Sequence, residues 1–183
     1  MKKMSNSEFE LIFVNDGSTD ASMNILEVIA QQNKNVRVIS FSRNFGHEAA
    51  MIAGIDHAAG DVIICMDADL QHPLECIAPI MAKFEEGYEV ISMVRTSNKS
   101  AGAIKNFTSR AFYRVINALS DQVKLEENAS DFFAISSRVA DVLRTNYREK
   151  TRFLRGYVQS VGFRKTTLEY TAAERAGTRL SRS

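Results

Sequence analysis

Residues 62–73 read VIICMDADLQHP, and the fold class turns on them. Val62 to Met66 is a short apolar run with no polar interruption, which predicts a strand covered on both faces. Asp67 and Asp69 follow at once. Residues two apart in extended chain point to the same face, so both carboxylates can reach one ion. Gln71 and His72 come next and can add a ligand or a hydrogen bond. Pro73 suits the first turn of a helix, where its missing N–H costs nothing. That helix is expected to run to about Glu86 and stop at Gly87, with a further strand over Tyr88 to Val94.

Upstream the same alternation repeats. Phe9 to Val14 is an apolar, β-branched and aromatic run, hence a buried strand. It ends in Asn15-Asp16-Gly17-Ser18-Thr19-Asp20, a cluster of turn and N-cap residues. A helix over about Ala21 to Gln32 follows, with Ile25, Leu26, Ile29 and Ala30 expected inward. Val36 to Phe41 is the next strand, and Glu48 to Ala59 a small-residue helix closed by Gly60 and Asp61. The order β-α-β-α-β-α-β predicts an α/β fold with a mainly parallel central sheet and helices on both faces. In such sheets ligands bind beyond the carboxyl ends of the strands. Those ends carry Asn15-Asp16, Ser42-Arg43-Asn44 and Asp67-Ala68-Asp69.

The second half is less regular. Arg95 to Gly102 reads as a polar loop. Ile104 to Leu119 has the spacing of an amphipathic helix, Phe132 to Ile135 that of a strand, with a helix through Val142 and Leu143 after it. Phe153 to Val161 reads as a helix and Phe163 to Tyr170 as an alternating strand. At 183 residues the chain is expected to be one domain. Residues 1–94 hold 6 Lys and Arg against 14 Asp and Glu, a balance of −8; residues 95–183 hold 17 against 8, a balance of +9. An acidic half can hold a metal, and a basic half can meet an anion or a membrane surface; segregated solvated faces explain the same numbers. The longest apolar run, Ala49 to Ile55, falls far short of the roughly 20 residues that cross a bilayer. The N-terminus lacks the apolar stretch of a signal peptide. Two cysteines without metal-ligand spacing argue against a disulfide or zinc framework and for a reducing compartment.

Three constellations carry chemistry. The strand-end Asp67-x-Asp69 suits Mg²⁺ or Mn²⁺ held by one or two carboxylates plus substrate phosphates; an acidic helix-capping turn, or a phosphatase whose first Asp attacks phosphorus, are the alternatives. Asp16 can accept the imide N–H of a uracil ring, whereas capping alone accounts for Ser18, Thr19 and Asp20. Arg43, beside a Gly turn and a helix start, suits a phosphate or carboxylate partner. As metal ligands, His47 and His72 lack a shared helical face or ligand spacing.

Taken together, FELIFVNDGSTDAS, FSRNFGHEAAMIAGIDHAAGD, MDADLQHP and FEEGYEVISMVR, followed in order by SRAFYRVIN, SDFFAISSRVADVL, RFLRGYVQSVGF and ERAGT, resemble the family 2 inverting glycosyltransferases of GT-A fold. The likeness is strongest to the polyprenyl-phosphate branch, the dolichyl-phosphate mannosyltransferases and bactoprenol glucosyltransferases, and covers about residues 8–180. It implies a nucleotide-diphosphate sugar as donor, with Asp16 at the base, Asp67 near ribose and diphosphate, and Asp69 and Gln71 on a Mg²⁺ or Mn²⁺ ion, Asp67 adding to the ion site. Arg43 would join the donor site. Asp131, in SDF, falls where the family places an active-site carboxylate; as a residue it can equally cap a strand or pair with an Arg. Arg110 would be a candidate for the acceptor phosphate; a solvated helix face explains it as well. Residues 1–94 would bind the nucleotide sugar and residues 95–183 the acceptor.

The family normally opens with a further strand before the DGS strand, so the first strand is expected to be missing here, leaving an edge through which copies could pair. Phe133 stands where the family often has Arg, and many members continue into membrane helices, so the chain reads as a piece of a longer protein. The expected function is metal-dependent inverting transfer of a sugar to a polyprenyl phosphate in cell-envelope polysaccharide synthesis, in the cytoplasm at the inner face of the membrane. The expected partners are the nucleotide sugar and a lipid phosphate or anionic membrane surface, with no nucleic acid. The alternatives are a soluble or polysaccharide acceptor, and an inactive nucleotide-sugar-binding fragment.

Overall fold

The computed structural model describes residues 8–96, 129–147 and 154–172. The chain runs β1 (Leu11–Asn15), α1 (Ser22–Gln32), β2 (Val36–Ser40), α2 (His47–His57) and β3 (Val62–Cys65). A 3₁₀ turn over Leu74–Cys76 then leads into α3 (Ile77–Glu85) and β4 (Val90–Arg95). The second half adds β5 (Ala129–Ser136), α4 (Ser137–Asn146), α5 (Leu154–Ser160) and β6 (Lys165–Tyr170). The expected elements within these residues are present, most ends within two positions; β5 begins three residues earlier than expected, and the α-helix expected from Pro73 begins only at Ile77. The helix expected over Ile104 to Leu119 lies outside the described residues, as do Arg110, Arg152 and the tail after Ala172.

Strand order in the larger sheet is β3-β5-β4-β6. β5 is antiparallel to both β3 and β4, and β6 is parallel to β4, so three of the four strands point one way and β5 alone is reversed. β1 and β2 form a separate parallel pair. The second edges of β1 and β3 have no strand beside them among the described residues, and α2 packs against both strands.

β5 is the centre of the core because its apolar run lets both faces be buried. Phe133 and Ile135 face α2, α4 and α5, in a cluster with Ile55, Val139, Leu143, Leu154 and Val158. Phe132 and Ala134 face the opposite way, with Ile80 of α3, Ile91, Met93 and Tyr170. Phe132 through Ile135 are almost inaccessible, none above 3% exposed, and a fully buried Phe or Ile contributes roughly 1.5–3 kcal/mol.

Three details differ from expectation. The first strand is not buried: Phe9 lies outside β1 and is exposed, and Leu11 is exposed too, since only β2 pairs with β1 among the described residues. Pro73 is extended, with ψ 132°, and precedes a 3₁₀ turn instead of lying in the first turn of the α-helix. Ile25 faces solvent at 57% exposure. The inward stripe of α1 runs through Met23, Leu26, Ile29 and Ala30, and with only β1 and β2 beneath it the stripe stays narrow.

Capping sets the ends of the helices around the site. Ser136 Oγ accepts the Val139 N–H and starts α4. Arg144 donates from Nε and Nη2 to the Ile55 carbonyl and from Nη2 to that of Ala58, closing the C-terminus of α2. α2 is thereby fixed to α4, and its other end is carried toward the ends of β3 and β5.

Candidate active site

The polar residues converge where the strand-end rule places them. β3 stops at Cys65, and the chain turns over Asp67 to His72. Leu70 takes a left-handed φ of 63°, which brings the Gln71 N–H back to Asp69 Oδ1 at 3.0 Å. Asp67 and Asp69 then open, with Ala68, His47 and Asp131, onto one cleft of about 600 Å³. Asp67 and Asp69 thus line one cleft, and Asp131 of β5 joins them from the far half of the sequence.

Asp131 is held on both oxygens. Arg155 of α5 donates to Oδ1 from Nη2 at 2.6 Å and from Nε at 3.2 Å. His47 Nε2 lies 3.5 Å from Oδ2. Asp131 can lie beside Arg155 because it shares the sheet face of Phe133 and Ile135, the face α5 covers. The same His47 nitrogen is 3.7 Å from Asp67 Oδ1, so the first residue of α2 stands between the two carboxylates.

His72 reaches Asp67 from the opposite, buried side. Its Nδ1 accepts the Asp67 backbone N–H at 2.9 Å, and its Nε2 is 3.9 Å from Asp67 Oδ2. Neither His47, half-exposed between carboxylates, nor His72, only 7% exposed, completes a His/Cys/Asp/Glu metal cluster among the described residues.

Asp16 and Arg43 lie next to this cleft but do not line it. Asp16 accepts the Phe45 N–H at 2.7 Å and the Gly46 N–H at 2.9 Å, so its carboxylate holds the turn that delivers His47. The two turns touch directly: a Cβ on Gly17 would fall 2.3 Å from the Arg43 carbonyl carbon, and Gly17 has φ +69°, so only glycine fits there. The Arg43 guanidinium stacks 4.0 Å above the Phe45 ring and donates to the Asn44 carbonyl. Gln71 commits its backbone N–H to Asp69 and is not part of the cleft wall.

Sequence reasoning allowed His72 a ligand or hydrogen-bond role beside Asp67 and Asp69, and the structure gives it the hydrogen bond; His47 and Arg155 were not placed in the site. For Arg155 no local signal pointed to the site, since its partner Asp131 is 24 residues away. For His72 the signal was a histidine one residue from a proposed ligand.

The donor set is oxygen-rich and acidic, with no thiolate or all-protein cage among the described residues. Such a set fits Mg²⁺ or Mn²⁺ shared with a diphosphate, since these ions take one or two carboxylates and complete their shell from phosphates and water. It does not fit a structural zinc site.

Comparison with known proteins agrees with the geometry. The family model described as Glycosyl transferase family 2 matches residues 1–144. The chain is 42% identical over 167 residues to a Bacillus subtilis protein named uncharacterized glycosyltransferase YkcC, covering 91% of this chain and 51% of that one. It is 38% identical over 168 residues to the bactoprenol glucosyl transferase of Shigella phage SfV, covering 92% and 54%. The chain thus spans about half the length of the curated relatives it matches. Among solved structures, S. aureus TarS 1-349 superposes with a TM-score of 0.59 at 17% identity, covering 90% of this chain and 50% of that one. The mannosyltransferase PcManGT from Pyrobaculum calidifontis, in complex with GDP-Man and Mn2+, gives 0.58 at 16%, covering 93% and 48%. At that identity the likeness is one of fold, and the fold is GT-A.

Proposed function

The chain belongs to glycosyl transferase family 2, and from that premise we propose that its parent protein moves a sugar from a nucleotide-diphosphate donor to a polyprenyl phosphate. The observation that carries this reading is the convergence of Asp67, Asp69 and Asp131 on one cleft at the carboxyl end of β3. Two comparisons support it: a sequence relative is named a bactoprenol glucosyl transferase, and a solved protein of the same fold is in complex with GDP-Man and Mn2+. The transfer inverts the anomeric centre, with no glycosyl–enzyme intermediate.

Residues 1–94 take the donor and residues 95–183 the acceptor. Asp69 and Asp67 would hold a Mg²⁺ or Mn²⁺ ion, with Gln71 beside them, and Asp16 and Arg43 would meet the base and phosphate end of the donor. A bound ion supplies neutralisation of the charge that gathers on the departing diphosphate. The chain's own cations add to that: Arg155 stands at the acceptor side of the cleft, paired with Asp131. Arg110 would meet the acceptor phosphate. A phosphate acceptor arrives already anionic, so its oxygen attacks without a strong base. No helix among the described residues is long and apolar enough to cross a membrane; a lipid-borne acceptor would place the parent protein at the cytoplasmic face of one.

Calorimetry with UDP and GDP, with and without Mn²⁺, tests the donor half. Mn²⁺ is expected to raise the affinity for one of the two, and Asp69→Ala to remove that gain while the melting curve holds. Equal binding in EDTA refutes the metal role. For the acceptor half, radiolabelled sugar should appear in the organic phase only when polyprenyl phosphate is supplied to the full-length protein.

A further inference from the structure

We propose that His72 is a positioning residue: it sets Asp67 from the buried side and locks the loop of residues 67–72 to β5. The inference deepens the donor-site reading above and rests on it for its function, though not for its geometry.

The His72 side chain is only 6% exposed. Its Nδ1 accepts the Asp67 N–H at 2.9 Å, so the neutral ring carries its proton on Nε2. That Nε2 faces Asp67 Oδ2 at 3.9 Å. One ring therefore addresses the backbone and the carboxylate of the same aspartate. The ring plane is fixed as well. It stacks on Phe132 at 4.7 Å with 20° between planes, and Tyr170 meets its edge side at 5.6 Å. Phe132 and Tyr170 touch each other at 5.3 Å, closing a buried group of three rings.

Phe132 follows Asp131 directly in β5. Successive residues of a strand face opposite sides, so Phe132 anchors His72 on the α3 side while Asp131 opens to the cleft on the other. The ring group thus ties the segment bearing Asp67 to the segment bearing Asp131. No other side chain supplies both needs: an acceptor nitrogen in the ring plane for the Asp67 N–H, and an aromatic face for Phe132. A carboxylate meant to meet a diphosphate or its ion must be held to within about 0.5 Å, and a turn with a left-handed Leu70 does not hold itself there. His47 touches the same carboxylate from the exposed side and has no such anchor.

The test separates the two halves of the ring. His72→Asn keeps an acceptor near the Nδ1 position and loses the ring face; His72→Phe keeps the face and loses the acceptor. On the ligand-free protein, ring nitrogen NMR of His72 should show Nε2 protonated and Nδ1 bare. The Asp67 amide should exchange with solvent about tenfold faster in His72→Phe, as expected for loss of one hydrogen bond, and stay near the wild-type rate in His72→Asn. With Mn²⁺ and the nucleoside diphosphate that binds wild type, His72→Phe should lose affinity about tenfold and His72→Asn regain most of it, while both melt cooperatively. A protonated Nδ1, or unchanged Asp67 exchange in His72→Phe, overturns the positioning role. So does equal loss of affinity in both variants in proportion to their loss of melting temperature, which marks a ring that only fills space. If wild type binds neither UDP nor GDP with Mn²⁺, the donor reading fails, and the tautomer and exchange data still decide whether His72 sets Asp67.

Discussion

Asp16 holds the turn before α2, and the proposed function also sets it against the donor base; one substitution separates the two roles. Its carboxylate accepts the N–H groups of Phe45 and Gly46 at 2.7 and 2.9 Å, immediately before α2 begins at His47. Hydrogen bonds to a charged group are worth about 1.5–3 kcal/mol when shielded. Phe45 is half-exposed, so solvent lowers each to about 1 kcal/mol, and the start of the helix adds a few tenths through its dipole. Asp16→Ala should therefore cost about 2–3 kcal/mol. At about 2–4 °C per kcal/mol for a chain of this size, the melting temperature falls by about 5–10 °C. Asp16→Asn keeps one acceptor and turns its amide NH₂ toward the other N–H, so it should recover less than half of that. Calorimetric melts give the structural effect. Titrations at 15 °C, where both variants stay folded, give the ligand effect: if Asp16 also accepts the base imide, UDP affinity falls more than ADP affinity. Unchanged melting in Asp16→Ala refutes the claim that the carboxylate holds the turn and leaves ligand contact as its only role.

Arg144→Ala should lower stability by about 1.5–3 kcal/mol, the loss of charged bonds to the Ile55 and Ala58 carbonyls. Arg144→Lys should restore only part of it, since an ammonium lacks the planar fork that sets Nε and Nη2 on these carbonyls; equal melts for the two variants refute this. Glu10 contributes in acid. The Ala59 N–H chiefly, with Arg37, holds its carboxyl below the ordinary 4.5 despite opposition from burial. A lowered folded value means the contribution is present above about 4.5 and disappears as pH falls through the folded value, so Glu10→Gln should flatten the acid limb of stability below pH 5, and an unchanged limb counts against it. Burial pushes the Cys65 thiol up to about 12, and burial with Glu75 raises that of Cys76. Thiol reagents at neutral pH should therefore label Cys76 faster than Cys65, both cysteines being partly exposed; faster labelling of Cys65 counts against this ordering.

The first half of the fold was legible because its signals are local. Short β-branched runs, turn clusters and a helix-stopping glycine mark β1 to β4 without knowledge of partners. The place of β5 was not legible. Its insertion between β3 and β4 is a pairing across about 40 to 70 residues, and the sequence shows only that Phe132 to Ile135 is apolar enough to be buried on both sides. The carboxylate pair was legible because a two-residue spacing carries its own geometry. Asp16 was half legible: its place at a strand end was plain, but the N–H groups that it holds lie 29 and 30 residues on. Ile25 misled because apolar spacing alone does not say how wide a surface lies beneath a helix.

The setting of Asp131 bears on the acceptor. A general base needs a lone pair aimed at the proton it takes and a basicity near the working pH. Asp131 gives one oxygen to two N–H groups of Arg155 and turns the other toward His47. Its Oδ1 lone pairs are thereby engaged and not aimed at a substrate proton. A sugar hydroxyl would have to lose its proton to this carboxylate. A phosphate has no proton to lose before attack; it needs a cation to meet it, and Arg155 is such a cation, held at the cleft by the same pairing. The Asp131–Arg155 pair, both residues from the basic half of the chain, engages one carboxylate oxygen and sets a cation beside the cleft, an arrangement that suits an anionic acceptor.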